Sequence, residues 1–159
     1  MLAGARPSLS NVGRLAYTRA VFDEVLRLYP SIWTFSRDAV ADDRLGEHHV
    51  PAGSTLMVCI YTMQRHPAHW RNSEAFDPDR FMNSGEEPRP KFAYFPFGGG
   101  PRTCLDARFA LLEALVVIAM TAPRYQLDLV PGHPIVPEPM ITLRPRFGMP
   151  MFVREANDQ

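Results

Sequence analysis

The residue with the clearest chemical potential is Cys104, which lies between a glycine-rich stretch and an apolar segment. If that segment is helical, unpaired backbone N–H groups and the positive end of the helix dipole point towards the sulfur and favour a thiolate. Glycines 98–100 keep side chains out of the approach, so a large flat ligand could lie against the backbone, and Arg102 offers a charge to an acidic group on it. Such a thiolate could ligate iron, although a small packed cysteine explains these residues alone at least as well.

The elements that must position Cys104 lie on both sides of it. Residues 105–121 are apolar nearly all round and predict a core helix, which ends before Pro123 and is too short to span a bilayer. Before the cysteine, residues 62–97 indicate only helix fragments and loops, because repeated prolines prevent any long element. So long an irregular stretch usually wraps around something.

Three further elements follow from periodicity. Residues 15–29 carry apolar side chains at helical spacing and predict an amphipathic helix that stops at Pro30. Residues 54–61 are typical of a buried strand and indicate a small sheet. Residues 140–153 alternate apolar and polar side chains around a Pro and Gly turn, which predicts a terminal hairpin.

Other chemically capable residues give weaker signals. His66 and His69 could approach a metal together with Cys104, but neighbouring histidines without a second spaced pair favour a surface position over a zinc site. Cys59 falls within the apolar strand and is most simply a buried, inert thiol. Glu24 and Arg27, three residues apart on the first helix, would alone be an ordinary ion pair worth roughly 0.2–0.5 kcal/mol.

Composition describes one ordinary domain of 159 residues with 17 basic and 17 acidic side chains, which makes nucleic acid and acidic membrane surfaces unlikely partners. The two cysteines lie far apart in sequence, so we expect a reducing, cytoplasmic setting. The N-terminal stretch is too polar to be a secretory signal, and no run reaches the length of a membrane span. Lys91 is the only lysine, which we interpret as codon bias from a GC-rich, bacterial genome.

Three motifs in a fixed order resemble one known family, the haem-thiolate monooxygenases called cytochromes P-450. The haem-binding signature of that family is F-x-x-G-x-R-x-C-x-G, and residues 97–106 read FGGGPRTCLD. The match falls on Phe97, Gly100, Arg102 and Cys104. The E-x-x-R helix of the family is present as Glu24 and Arg27, and its F-x-P-E-R-F element as FDPDRF at residues 76–81.

The resemblance implies a fold that is mainly α with small β-sheets. Residues 1–159 would form a single partial domain, the C-terminal haem-binding part of the cytochrome P-450 fold, truncated on its N-terminal side. The implied function is insertion of one oxygen atom from O2 into a small hydrophobic organic substrate, with reduction of the other atom to water. The implied cofactor is haem b, with electrons from NAD(P)H delivered through a ferredoxin or a reductase.

The resemblance also assigns roles to particular residues, none of them a catalytic one. Cys104 would be the axial iron ligand whose electron donation favours cleavage of the O–O bond. Phe97 would pack beside the sulfur, and Arg102 and Arg37 would pair with the haem propionates. A partly buried network that locks the loop before the cysteine would consist of Glu24, Arg27 and Arg80. The segments that line the substrate pocket in the family match Ile32, Trp33, Thr34, Met140 and Ile141, for which plain core packing is about as good an explanation.

The sequence departs from the family in two places. Asp106 replaces the glycine two residues after the cysteine, and a carboxylate there could crowd the porphyrin face and raise the cost of holding a thiolate. The chain is also far shorter than family members, and nothing in it resembles the helix that carries the acid and alcohol pair for proton delivery to oxygen. The alternative functions are therefore a truncated haem-binding fragment without monooxygenase turnover and an inactive remnant.

Overall fold

The first long helix packs against several later segments of the chain. A computed structural model describes residues 7–8, 10–82 and 89–156. Helix α1 spans Ala16–Leu28, as predicted, and its buried face carries Ala20 and Leu28 together with the charged Glu24 and Arg27. The helix ends before Pro30, whose ring cannot continue it.

Two small antiparallel sheets follow α1. Strand β1, Thr34–Asp38, pairs with β4, Thr55–Cys59, and β2, Asp43–Leu45, pairs with β3, His48–Val50. The predicted small sheet is confirmed. The prediction of a buried strand at 54–61 is too strong, because β4 alternates between exposed and half-buried positions, as expected when one face of a strand meets solvent.

A long irregular segment, described for residues 64–82 and 89–97, follows the short helix α2, Ile60–Met63, and leads to the cysteine; we call it the meander. Its regular structure among the described residues is a 3-10 turn at Pro78–Phe81, as the prolines predict. The apolar residues that it buries are Trp70, Ala93 and Phe95. The turn at Pro78–Phe81 contacts α1, so the meander packs against the buried face of that helix.

Helix α3, Ala107–Thr121, forms where the apolar pattern predicts, but it is not a core helix. Leu115 is its only buried residue, whereas the Phe109 side chain is 67% exposed and Val117 is also exposed. The prediction of burial is wrong. An apolar composition shows that a helix could be buried, but its burial also requires other segments of the chain to pack over it. Among the described residues, no helix combines the length and apolarity needed to cross a membrane.

The C-terminal strands pair differently from the prediction. Strand β5, Tyr125–Leu129, pairs with β8, Met151–Glu155, while β6, Pro137–Pro139, pairs with β7, Leu143–Pro145. The predicted hairpin over 140–153 is wrong, since β7 and β8 each take an earlier partner. Alternation identifies a strand but not its neighbour, which depends on contacts distant in sequence.

The fold class is confirmed for its small sheets and needs correction for its helix content. Among the described residues, two helices exceed one turn by a wide margin, and four two-stranded sheets accompany them. Irregular chain joins these elements, because the prolines keep most segments short. The description as mainly α is therefore too strong for this chain.

Candidate cofactor site

The loop that carries Cys104, residues 97–104, is closed by backbone hydrogen bonds; we call it the cysteine loop. The Cys104 N–H donates to the Phe97 carbonyl at 2.9 Å, and the Gly98 N–H donates to the Phe95 carbonyl at 2.9 Å. Gly98 and Gly100 have φ angles of +75° and +71°, in the left-handed region that favours glycine. The two glycines therefore allow the loop to turn tightly.

Gly99 serves a different purpose from the one that the sequence indicates. A Cβ atom added there would lie 2.6 Å from the Phe92 ring. Its missing side chain thus makes room for an aromatic residue of the meander, not for a flat ligand, which corrects the interpretation of the three glycines as one open approach.

Beneath the cysteine loop lies a cavity of about 310 Å³. Its wall is largely apolar and combines α1, β1, α2, the end of the meander and the cysteine loop. The lining residues with a thiol or a charge are Cys104, Arg37 and Arg102. The others are Leu26, Ser31, Ile32, Phe35, Ile60, Pro96, Phe97 and Gly98.

Neither arginine of the cavity has a carboxylate partner among the described residues. The Arg37 guanidinium lies 4.8 Å from the centre of the Phe35 ring and donates to the Ser36 carbonyl at 2.7 Å. Arg102 is exposed at the end of the 3-10 turn Gly100–Arg102. A largely apolar cavity lined by a thiol and by two arginines without a carboxylate partner can hold an apolar ligand with acidic substituents, and a thiol can ligate a metal.

Asp106 lies outside this cavity. It occupies the N-cap position of α3, where its exposed side chain makes no capping hydrogen bond. The carboxylate therefore precedes the first helical turn and does not line the cavity wall in this structure.

The predicted substrate-pocket residues divide between the cavity and other positions. Ile32 lines the cavity. The Trp33 indole donates to the Met140 carbonyl at 2.7 Å, so these two residues lie together but away from the cavity wall. The Thr34 hydroxyl donates to a strand carbonyl, and Ile141 is 91% exposed. Gly100, predicted to bind cofactor, also lies outside the lining.

The charged residues predicted to form a network meet at the fully buried Glu24. Its carboxylate accepts from Arg27 Nε at 2.6 Å and from Arg80 Nε at 3.1 Å, and the Asp77 N–H donates to it at 2.9 Å. Arg27 also donates to the meander carbonyls of Gln64, Ser73 and Ala75. These bonds fasten the meander to α1, and the meander leads directly into the cysteine loop.

A buried tryptophan reinforces this junction, and sequence reasoning did not single it out. The Trp70 indole donates to the Ala93 carbonyl at 3.2 Å. The guanidinium carbons of Arg89 and Arg27 lie 4.5 Å and 5.0 Å from its ring centre, within the range of cation–π attraction. Since the meander lacks periodicity, no sequence pattern indicates which of its residues turn inward.

Tyr94 is a second unpredicted member of the junction. Its hydroxyl donates to the Asp23 carboxylate at 3.0 Å. Burial, followed by the negative charge of Asp23, raises the pKa of Tyr94 well above its ordinary value.

The two histidines that could have approached a metal lie beside each other, with ring centres 5.4 Å apart. In the part of the chain that the structure describes, no group of three or more His, Cys, Asp or Glu residues is placed to hold a metal ion. Cys59 and Cys104 are both free thiols.

Comparison with known proteins identifies the family of the chain. The sequence pattern that defines the cytochrome P-450 family matches residues 1–150. The chain belongs to that family, which confirms the resemblance drawn from its three motifs.

Relatives come from bacteria, plants and mammals. Cyclooctatin synthase of Streptomyces melanosporofaciens is 36% identical over 143 residues, which cover 90% of this chain and 31% of that protein. The protein LUTEIN DEFICIENT 5, chloroplastic, of Arabidopsis thaliana is 37% identical over 133 residues, or 82% of this chain and 22% of that protein. The chain thus spans less than a third of the length of these curated relatives.

The same relation holds in three dimensions. The crystal structure of the cytochrome P450DA heme domain superposes with a TM-score of 0.88 at 28% identity. The superposition covers 96% of this chain and 34% of that one.

Proposed function

We propose that this chain supplies the haem-binding part of a haem-thiolate monooxygenase. The observation that carries the proposal is the cavity whose largely apolar wall includes Cys104, Arg37 and Arg102. Family membership implies a haem cofactor, and this donor set suits one. The haem, when bound, would supply the chemistry of oxygen activation, which inserts one atom of O2 into an organic substrate.

The residues of the cavity divide the work of holding that group. Cys104 would provide the thiolate that ligates the iron, and Phe97 would pack beside the sulfur and tune the potential of the iron. The two arginines would pair with the acidic substituents of the porphyrin. The network of Glu24, Arg27 and Arg80 touches no part of the cavity and would act by holding the meander, a structural role.

The order of the motifs supports placement in the C-terminal portion of the family fold, with residues 1–159 as one partial domain. For the protein as a whole we propose a small hydrophobic organic substrate and electrons from NAD(P)H through a ferredoxin or a reductase. Ile32 is the predicted substrate-pocket residue that the cavity supports. The free thiols at Cys59 and Cys104 support a reducing, cytoplasmic setting.

The alternative is haem binding without monooxygenase turnover. The observation that favours it is the exposed apolar surface along α3 and directly before it, where Leu105 is 95% exposed and Phe109 and Val117 are also exposed. A haem held from this one side would remain open to solvent on the other, and water then competes with the oxygen chemistry.

A carbon monoxide difference spectrum of the reduced chain after haem addition tests the proposal. We expect the strongly red-shifted Soret band of a thiolate-ligated iron, and we expect Cys104→Ser to abolish it. Cys59→Ser is the matched control, because that thiol lies on β4 outside the cavity lining, and it should leave the band in place. An unaltered band in Cys104→Ser would refute the ligand assignment. A thiolate band without substrate oxidation driven by peroxide would favour the alternative.

A further inference from the structure

Gln64 is a polar side chain outside the ion network whose amide donor and acceptor are both used in hydrogen bonds. It is 0% exposed, although it lies in an irregular part of the chain directly after α2. Its amide Nε2 donates to the Leu26 carbonyl at 2.9 Å and to the Arg27 carbonyl at 3.2 Å. Its amide oxygen accepts from the Phe95 N–H at 2.9 Å. One side chain therefore joins the end of α1 to the end of the meander.

Both ends of this bridge need a partner. The carbonyls of Leu26 and Arg27 belong to the last turn of α1, where no intrahelical donor follows. Phe95 is buried, so its N–H must be satisfied within the protein. Glutamine meets both demands because its amide carries a donor and an acceptor.

The bridge continues to the cysteine. The Phe95 carbonyl accepts from the Gly98 N–H, and the Phe97 carbonyl accepts from the Cys104 N–H. Leu26, whose carbonyl Gln64 binds, lines the same cavity as Cys104. The amide thus ties one wall of the cavity to the backbone that carries the sulfur.

We infer that Gln64 is a positioning residue, which fixes the cysteine loop against the end of α1 and so sets where the Cys104 sulfur lies relative to a bound haem. The inference deepens the proposed function and rests on it for the haem, but the placement of the loop can be measured on the chain without haem. The ordinary explanation is that Gln64 only caps α1, as Arg65 does by donating to the Leu28 carbonyl.

Amide hydrogen exchange distinguishes the two roles. In Gln64→Leu we expect the Phe95 amide to exchange at least tenfold faster, and the Cys104 amide to accelerate with it, while the far-UV circular dichroism is retained. Gln126→Leu is the matched control, because that exposed side chain bonds only the Asp128 carboxylate at 3.3 Å on β5, and it should leave both amides unchanged. Faster exchange at Phe95 with an unchanged Cys104 amide would overturn the inference. Gln64 would then only cap the end of α1.

A second variant covers the case in which the leucine variant fails to fold. Gln64→Asn keeps the donor and the acceptor but shortens the side chain by one methylene, so it cannot bridge both ends. We expect acceleration at Cys104 in the same direction. With haem added, either variant should lose thiolate band intensity in the carbon monoxide spectrum relative to the unchanged chain. If the Cys104 amide responds but no chain gives a haem spectrum, the proposed function fails and the placement by Gln64 stands.

Discussion

Replacing Glu24 by glutamine tests whether the buried ion network holds the meander in place. The Glu24 carboxylate is 0% exposed and accepts from Arg27 Nε and Nη2 at 2.6 and 2.8 Å, from the Asp77 N–H at 2.9 Å and from Arg80 Nε at 3.1 Å. Glutamine keeps the shape, but it removes the charge and turns an amide group towards guanidinium donors. Two buried cations then lose their anion.

The expected cost follows from that geometry. Removing one member of a buried ion pair costs about 3–5 kcal/mol, because the remaining charge stays desolvated without compensation. For a chain of this size the denaturant slope is about 2 kcal/mol per molar urea, so the unfolding midpoint should fall by roughly 1.5–2.5 M. Folding stabilities are about 5–15 kcal/mol, and a loss of this size is a large part of the total.

Urea unfolding followed by Trp fluorescence measures the effect, with Glu74→Gln as the matched control. Glu74 pairs with Arg65 Nε at 3.2 Å, but its side chain is 71% exposed. Exposed pairs contribute about 0–1 kcal/mol, so the control should move the midpoint little. If the free energies of unfolding of the two variants differ by less than about 1 kcal/mol, the network does not anchor the meander.

Two further substitutions test the meander and the cysteine loop separately. The pKa of Tyr94 in the folded chain is raised above its ordinary value of 10.0, so its contribution to stability is fully present below pH 10 and is lost as pH rises further. Tyr94→Phe should therefore flatten the fall in the free energy of unfolding above pH 10, and an unchanged slope would contradict the assignment. Gly99→Ala should cost about 1–3 kcal/mol, because its Cβ would lie 2.6 Å from the Phe92 ring. Gly13→Ala, with open space around the added atom, is the control, and equal losses in urea would refute the steric argument.

Local sequence patterns predict the helices better than they predict what surrounds them. The apolar spacing and Pro30 give α1 almost to the residue, because both signals act within the helix itself. The exposure of Phe109 on α3 is not predictable, since burial depends on segments distant in sequence. The partners of β7 and β8 were predicted wrongly because strand pairing also depends on segments distant in sequence.

The residues of the candidate site also fall into a group that the sequence predicts and a group that it does not. Cys104 and Arg102 belong to one short motif, so the sequence indicates them directly, and Arg37 joins them across the cavity. Gln64 and Tyr94 lie in the meander, where neither helical nor strand periodicity marks an inward side chain. Their roles emerge only when the three-dimensional structure places them against α1.

Helix α1 connects the cavity to the buried ion network. Successive helix residues point about 100° apart, so Leu26 can line the cavity while its neighbour Arg27 faces the meander and the Glu24 carboxylate. Gln64 bonds to the backbone carbonyls of both Leu26 and Arg27. A displacement of α1 would consequently move the cavity wall and the ion network together. Because the network residues do not line the cavity, we expect their loss to act on Cys104 through α1 and the meander, and to lower haem retention before it affects any chemical step.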